Sequence, residues 1–237
     1  IEDPIEYEIE GINQTQTDEF HGIDFATGLR GLLRADPDVI LVGESRDEET
    51  ATAAINSALT GHLVLTTLHA NDSLRAISRL ISMGVEPYLL GDALAMSQAQ
   101  RLVKKLCGYC KRAISIHDRV QELFYSNGVI KEPTNDPIFM AEGCEECNGT
   151  GFLGRVAIME MCSVDQTIAE MVSSGASMAE MRKEAAKQGV LSLYQEGLNQ
   201  VTHALAFYPN TVEKLLTSYA LVMSQPEEEE DEDEETE

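Results

Sequence analysis

A chain of 237 residues with 43% hydrophobic content has room for one large or two modest domains with a real core. Its formal charge of −24 and its lack of Trp leave neither a basic stripe for phosphate backbones nor an aromatic platform for unstacked bases. No apolar run reaches the roughly 18–20 residues of a spanning helix and no signal peptide opens the sequence, so any membrane association is expected to pass through partners.

Residues 1–7, IEDPIEY, read as the end of a strand that turns at Pro4. No strand precedes it, which gives the expectation that an amino-terminal part lies upstream. Residues 12–17, INQTQT, are polar β-formers and predict an edge strand. Apolar positions Phe25, Leu29, Leu32 and Leu33 predict a helix to Arg34 capped by Asp24, with Arg30 and Arg34 four apart on one face. Val39–Val42 is a short apolar run between Asp36-Pro37-Asp38 and Gly43, the pattern of a strand buried on both faces of a parallel sheet. Residues 47–59 predict a helix with Ala51, Ala54, Ile55 and Ala58 inward, ended by Gly61. A second buried strand is expected over 62–67, then a loop, then a helix through Met83 capped by Asp72 or Ser73. Pro87 suits the first turn of a helix expected to run to about Leu106. Strands alternating with helices of this length predict an α/β fold.

Cys107 opens a polar region, running to about residue 150, that is expected to have little core of its own. A short strand over 156–159 follows, then helices over 166–172, 177–188, 192–201 and 211–223, punctuated by Gly175, Gly189 and Pro209. The acids of residues 227–237 repel one another, so 224–237 is expected to be a disordered tail.

Cys107/Cys110 and Cys144/Cys147 form two C-x-x-C knuckles. Each can present two thiolates on one turn, half of a tetrahedral zinc site, and four cysteines leave no open position for catalysis. Disulfides or redox motifs are the alternative, disfavoured without a secretory signal. Cys162 is left over and reads as a buried apolar thiol. Glu44 follows Val39–Val42 where open α/β sheets place ligands, so it reads either as a carboxylate that positions magnesium and water at a phosphate or as a solvated acid. Gly43 stands where the apolar strand of a usual Walker B box ends in Asp. His62 and His69 bracket the second strand, too far apart to share a ligand, with His69 on the Glu44 edge. Glu2 and Asp3 share that edge if the strands are parallel, or form a solvated turn before Pro4.

Together these segments resemble the secretion ATPase superfamily of type II secretion and type IV pilus assembly. IEDPIEY looks like its aspartate box, DPDVILVGESRDEETA its atypical Walker B box and TGHLVLTTLHANDS its histidine box. GRVAIMEM, the Gly175 to Arg182 segment and SLYQEGLNQV look like its carboxyl-terminal helical region. The resemblance covers nearly all of residues 1–223 but not the middle of the cysteine loop or the acidic tail. It implies the second half of a RecA-like P-loop NTPase core with a mostly parallel sheet over 1–106, a tetracysteine zinc insertion over 107–150, and a returning strand with helices over 151–223. It implies ATP, Mg2+ and Zn2+ as cofactors. By it, Glu44 positions magnesium and the attacking water, Glu2 polarises with Asp3 in support, His69 senses the γ-phosphate, and His62 couples the site to movement. Arg30, Arg34 and Arg46 stabilise charge or line an interface. It also implies a cytoplasmic homohexamer, peripheral at the inner membrane through a platform protein, with no direct nucleic acid and no membrane insertion.

Two departures bear on this. No G-x-x-x-x-G-K-[ST] occurs in the sequence, so this chain alone is expected to hydrolyse ATP negligibly. Ser45 stands where relatives usually carry an apolar residue. The expected function is ATP hydrolysis powering pseudopilus or pilus assembly. The alternatives are a pilus-retraction ATPase, which lacks the cysteine insertion, and a non-catalytic zinc-stabilised binding module.

Overall fold

The computed structural model describes residues 1–132 and 134–203 as mixed α/β, in two compact units: Ile1–Gln100 with Met159–Leu191, and Arg101–Ile158 with the residues from Ser192 on. In chain order the elements are α1 (Phe25–Leu32), β1 (Val39–Val42), α2 (Glu48–Leu59), β2 (Leu63–Thr66), α3 (Ser73–Ser82), α4 (Pro87–Ala93), β3 (Met96–Leu106), β4 (Arg112–Ile114), α5 (Asp118–Ser126), β5 (Ile138–Met140), β6 (Phe152–Ser163), α6 (Gln166–Ser173), α7 (Met178–Lys187) and α8 (Leu193–Thr202). Among the described residues no helix is long and apolar enough to cross a membrane. The helix expected over 211–223 and the acidic tail lie outside the described residues.

In the first unit β1 pairs parallel with β2, from Val39 opposite Leu63 to Val42 opposite Thr66. On the other side of β1, Ile1 donates its backbone nitrogen to Leu41 O (2.7 Å) and accepts from Gly43 N (2.8 Å). Glu2 then bridges Gln16 in parallel. The edge strand expected over 12–17 is reduced to that bridge, in which Thr15 O accepts from Glu2 N–H and Thr17 N–H donates to Glu2 O (3.0 Å each). Gln16 Oε1 accepts from Ile5 N–H (3.2 Å) and Gln14 Oε1 from Ile9 N–H (2.8 Å).

Two capped helices cover one face of the pair. Asp24 accepts from Thr27 N–H (2.6 Å) to start α1, and Asp47 accepts from Thr50 N–H (2.8 Å) to start α2. The Thr27 amide and hydroxyl hold the Asp24 carboxyl below its ordinary value. The stability this cap adds is therefore complete above the ordinary carboxylate range and is lost as pH falls through the lowered value. Phe25, Leu29, Ile40, Val42 and Ala54 form the core beneath these helices, with Ile1 inserted over Gly28, where a Cβ would stand 2.0 Å from Ile1 Cδ1.

The other face of the pair is bare. Val39, Leu41, Leu63 and Leu65 remain 46–56% exposed, so the expectation of strands buried on both faces is corrected. Period-2 alternation sends every second apolar residue of each run away from α1 and α2, which both pack on the Ile40 side. A second core in the same unit gathers Leu74 and Ile77 of α3, Leu90 of α4, Cys162 of β6, Ile168 of α6 and Met181 of α7.

The helix expected to reach Leu106 stops at Ala93, and residues 96–106 form the long strand β3. Their composition favours helix, but Ser97, Ala99 and Val103 are buried among exposed neighbours, and pairing with β6 overrides the propensity. Val164 N–H on Ala95 O and Cys107 N–H on Gly151 O (2.9 Å each) bracket that pair, so it runs antiparallel. The short strand expected over 156–159 is correspondingly the middle of the 12-residue β6.

In the second unit β4 and β5 pair antiparallel, and parallel pairing among the described strands is confined to β1 and β2. The cysteine region also has more of a core than its composition implies: Phe124 of α5 is fully buried and Ile138 of β5 nearly so. The two faces of β1 and β2 predict unequal costs of truncation. Leu29→Ala, under the covered face, is expected to destabilise by about 2–5 kcal/mol, and Leu41→Ala, on the bare face, by about 0.5 kcal/mol or less. Urea unfolding of the two variants reads the difference, and equal losses would contradict the one-sided core.

Candidate functional site

Parallel pairing brings the ends of β1 and β2 to one edge, and the hydrogen bonding continues past both strands. Thr67 Oγ1 donates to Gly43 O (2.6 Å), Ser45 N–H donates to Thr67 O (2.9 Å), and the Ser45 and Thr66 hydroxyls share a bond of 3.0 Å. Glu44 is thereby fixed between two tied residues. Ser45 is buried, and its polar contacts close the packing that an apolar residue would otherwise provide. Gly43 is needed for the approach of the first residues, since a Cβ there would meet Ile1 O at 3.2 Å and Glu2 Cα at 3.4 Å. A side chain in that place would press on the backbone of the first residues, which would have to give by a few tenths of an ångström.

The Glu44 carboxylate is largely covered, with 17% of its side chain exposed, and both its oxygens are engaged. Arg46 Nε donates to Oε2 (2.7 Å), and His69 Nε2 lies 3.1 Å from Oε1. Arg46 Nη1 also reaches Asp3 Oδ2 at 3.9 Å. Two acids and two bases thus alternate across the edge. The Arg46 side chain is 60% exposed and that of His69 is 96% exposed, so each pair is worth about 0–1 kcal/mol. Such pairs are exchangeable rather than structural braces. His69 also lines a cavity of about 520 Å3 with Asn71, Arg75 and Arg79.

The remaining expected residues divide. Glu2 is beside the cluster, but its Oε2 accepts from Gln14 Nε2 (2.7 Å). His62 is at the opposite end of β2, where its Nδ1 lies 2.9 Å from Ser57 O and 3.2 Å from Thr60 Oγ1, so it does not join Glu44. Arg30 pairs with Glu49 of α2 (2.9 Å), and Arg34 is exposed in the turn that follows α1. Sequence reasoning missed Gln14, Thr66 and Thr67, and singled out Ser45 without its hydrogen bonds. The paired threonines after an apolar run were the available signal, but their partners are distant in sequence.

The four cysteines of the second unit meet, with every Sγ within 4.8 Å of the others. Cys107 to Cys144 is 3.9 Å, Cys110 to Cys147 is 3.8 Å and Cys144 to Cys147 is 3.7 Å. A tetrahedron of thiolates at about 2.3 Å from a metal has edges of about 3.8 Å, so the donor set fits a tetrahedral soft metal, and all four thiols are free. Burial opposes ionisation at Cys110 and Cys147. At Cys147 the N–H groups of Cys144 and Gly151 outweigh burial and hold the thiol at about 6. At Cys110 burial wins and pushes it up to about 12. Four thiolates in this space therefore call for a cation.

The type II/IV secretion system protein model matches residues 1–214. The chain belongs to this family. It is 43% identical over 217 residues to the type IV pilus assembly ATPase PilB of Thermus thermophilus, covering 91% of this chain and 24% of that one. It is 42% identical over 212 residues to the type II secretion system protein E of Dickeya dadantii, covering 90% and 41%. The chain thus spans well under half the length of these relatives. Among solved structures it resembles the pilus retraction motor PilT with bound ADP, at a TM-score of 0.61 and 24% identity over 90% of this chain and 50% of that one, a likeness of fold.

For this secretion-family chain the cysteine cluster is directly testable. Cobalt(II) is expected to bind at one equivalent with the charge-transfer and visible bands of a tetrahedral tetrathiolate. Its affinity is expected to fall as pH is lowered, because the ligands must shed protons that acid returns. Cys144→Ser should lose that spectrum, and its persistence in the variant would refute the assignment.

Proposed function

We propose that residues 1–106 are the second half of a RecA-like nucleotide-hydrolysing core, residues 107–150 a zinc-holding insertion and residues 151–223 its returning strand and helical region. The whole serves a hexameric motor that powers pseudopilus or pilus assembly. The observation that carries this reading is the meeting of Glu44, His69, Arg46 and Asp3 at the carboxyl end of two parallel strands. Phosphoryl transfer asks a protein mainly for positioning and charge, and that edge supplies both.

Magnesium, when bound with the nucleotide, neutralises charge on the phosphate oxygens. Glu44 then gives up a weak pair with His69 or Arg46 and orients the attacking water. His69, released from Glu44, senses the γ-phosphate, and Arg46 offsets developing charge near Asp3. Glu2, held by Gln14, adds a polarising carboxylate. His62, bonded at the end of α2, couples movement of that helix to β2, and Arg30 and Arg34 belong to an interface. The tetracysteine cluster holds Zn2+ as a structural ion and favours the assembly and secretion branch over retraction. The motor works in the cytoplasm as a homohexamer against an inner-membrane platform protein.

Because the sequence holds no phosphate-cradling G-x-x-x-x-G-K-[ST], the chain alone is expected to release no phosphate from Mg-ATP above a buffer blank. Joined to the upstream phosphate-binding region of a pilus assembly ATPase, it is expected to hydrolyse ATP, and Glu44→Gln to lower kcat about 100-fold or more with little change in KM. Full activity in that variant would remove Glu44 from the mechanism. A joined protein that binds partners without any hydrolysis would favour the non-catalytic module.

A further inference from the structure

His69 is held beside Glu44 although its ring is almost wholly exposed, so little packing on the ring itself keeps it there. Its placement depends on how the loop between Thr67 and Asp72 is anchored. The upstream anchor is the pair of bonds from Thr67 Oγ1 to Gly43 O and from Ser45 N–H to Thr67 O, made by the residues flanking Glu44. The downstream anchor is built from three distant elements. Glu160 of β6, only 5% exposed, accepts from Ser73 N–H (3.0 Å) and Ser73 Oγ (2.6 Å). Ser97 Oγ of β3 donates to Ser73 O (2.6 Å). Arg182 Nη2 of α7 donates to Asp72 Oδ2 (2.7 Å).

Capping does not account for this arrangement. Asp72 already caps α3 through Arg75 N–H (2.8 Å). A second carboxylate brought from β6 and buried must offset a desolvation cost of several kcal/mol. Two donors from Ser73 and the positive end of α3 contribute to offsetting it. We propose that Glu160 and Arg182 are positioning residues for the Glu44–His69 pair, acting through Ser73 and Asp72 to fix the downstream end of the His69 loop. The catalytic side of this rests on reading that pair as part of the nucleotide site.

Hydrogen exchange by mass spectrometry tests the positioning on the present chain. Glu160→Gln and Arg182→Met, which keep the bulk of each side chain, are expected to speed exchange in a peptide spanning residues 67–74 about tenfold, the change that accompanies one charge-assisted hydrogen bond. Peptides from α6 and from the cysteine knuckles serve as references and should be unchanged. Arg182→Lys should restore part of the protection. Ser78→Ala, on α3 but bonded to Met178 rather than to the anchor, should have no effect on the loop. Loop exchange that stays at the wild-type rate, or rises equally in every peptide, would overturn the proposal whatever the protein hydrolyses.

In the protein joined to a phosphate-binding region, the same variants are expected to lower kcat without raising KM and to add nothing to His69→Ala. A loosened loop with undiminished kcat would leave the anchor standing and sink the reading of the pair as part of the nucleotide site.

Discussion

Two four-residue strands pairing in parallel, Val39–Val42 with Leu63–Thr66, decide where every charged group of the candidate site can stand. Parallel strands end at the same edge, so the residue after Gly43 and the loop after Thr66 emerge side by side. The bonds that continue beyond the strands, from Thr67 to Gly43 and from Ser45 to Thr67, carry the register into the loops. Antiparallel pairing would send Glu44 and His69 to opposite ends. The small size of Gly43 belongs to the same constraint, because the backbone of Ile1 and Glu2 passes close to where its Cβ would stand.

The charges themselves contribute little to holding this arrangement. Pairs as exposed as Glu44 with Arg46 and His69 give about 0–1 kcal/mol each. The scaffold is held instead by apolar burial under α1 and α2, by capped helices, and by the buried contacts around Ser73. A rigid base with loosely paired charges suits the proposed nucleotide site, in which internal partners would be exchanged for ligand. In the second unit the division is different: the sulfur cluster is drawn together by backbone N–H groups on Cys110 and Cys147, and its geometry matches a metal rather than a disulfide.

Local chemistry was readable in the sequence. The cap Asp24, the cap at Asp72 (one of the two residues expected there), the strand Val39–Val42 and the paired cysteine knuckles all lie where their residues predicted, since each depends on neighbours a few positions away. The extension of the Pro87 helix to about Leu106 was the largest miss. Its Gln, Lys and Leu content favours helix, and only the distant β6 makes a strand of it. In the site, Arg46 was expected only from the family resemblance, whereas the placing of Glu44 and His69 on one edge followed from strand ends. The roles of Gln14, Ser45, Glu160 and Arg182 did not, because each is defined by a partner far away in the chain or by a hydroxyl among many.

The central claim is that Glu44 and His69 act as one unit set by parallel pairing. A double-mutant cycle in hydrolysis measures this most directly, using Glu44→Gln, His69→Ala and the two together in the protein joined to a phosphate-binding region. The account predicts strong non-additivity, with the double variant no slower than the slower single one. Independent factors that multiply in the double variant would contradict it.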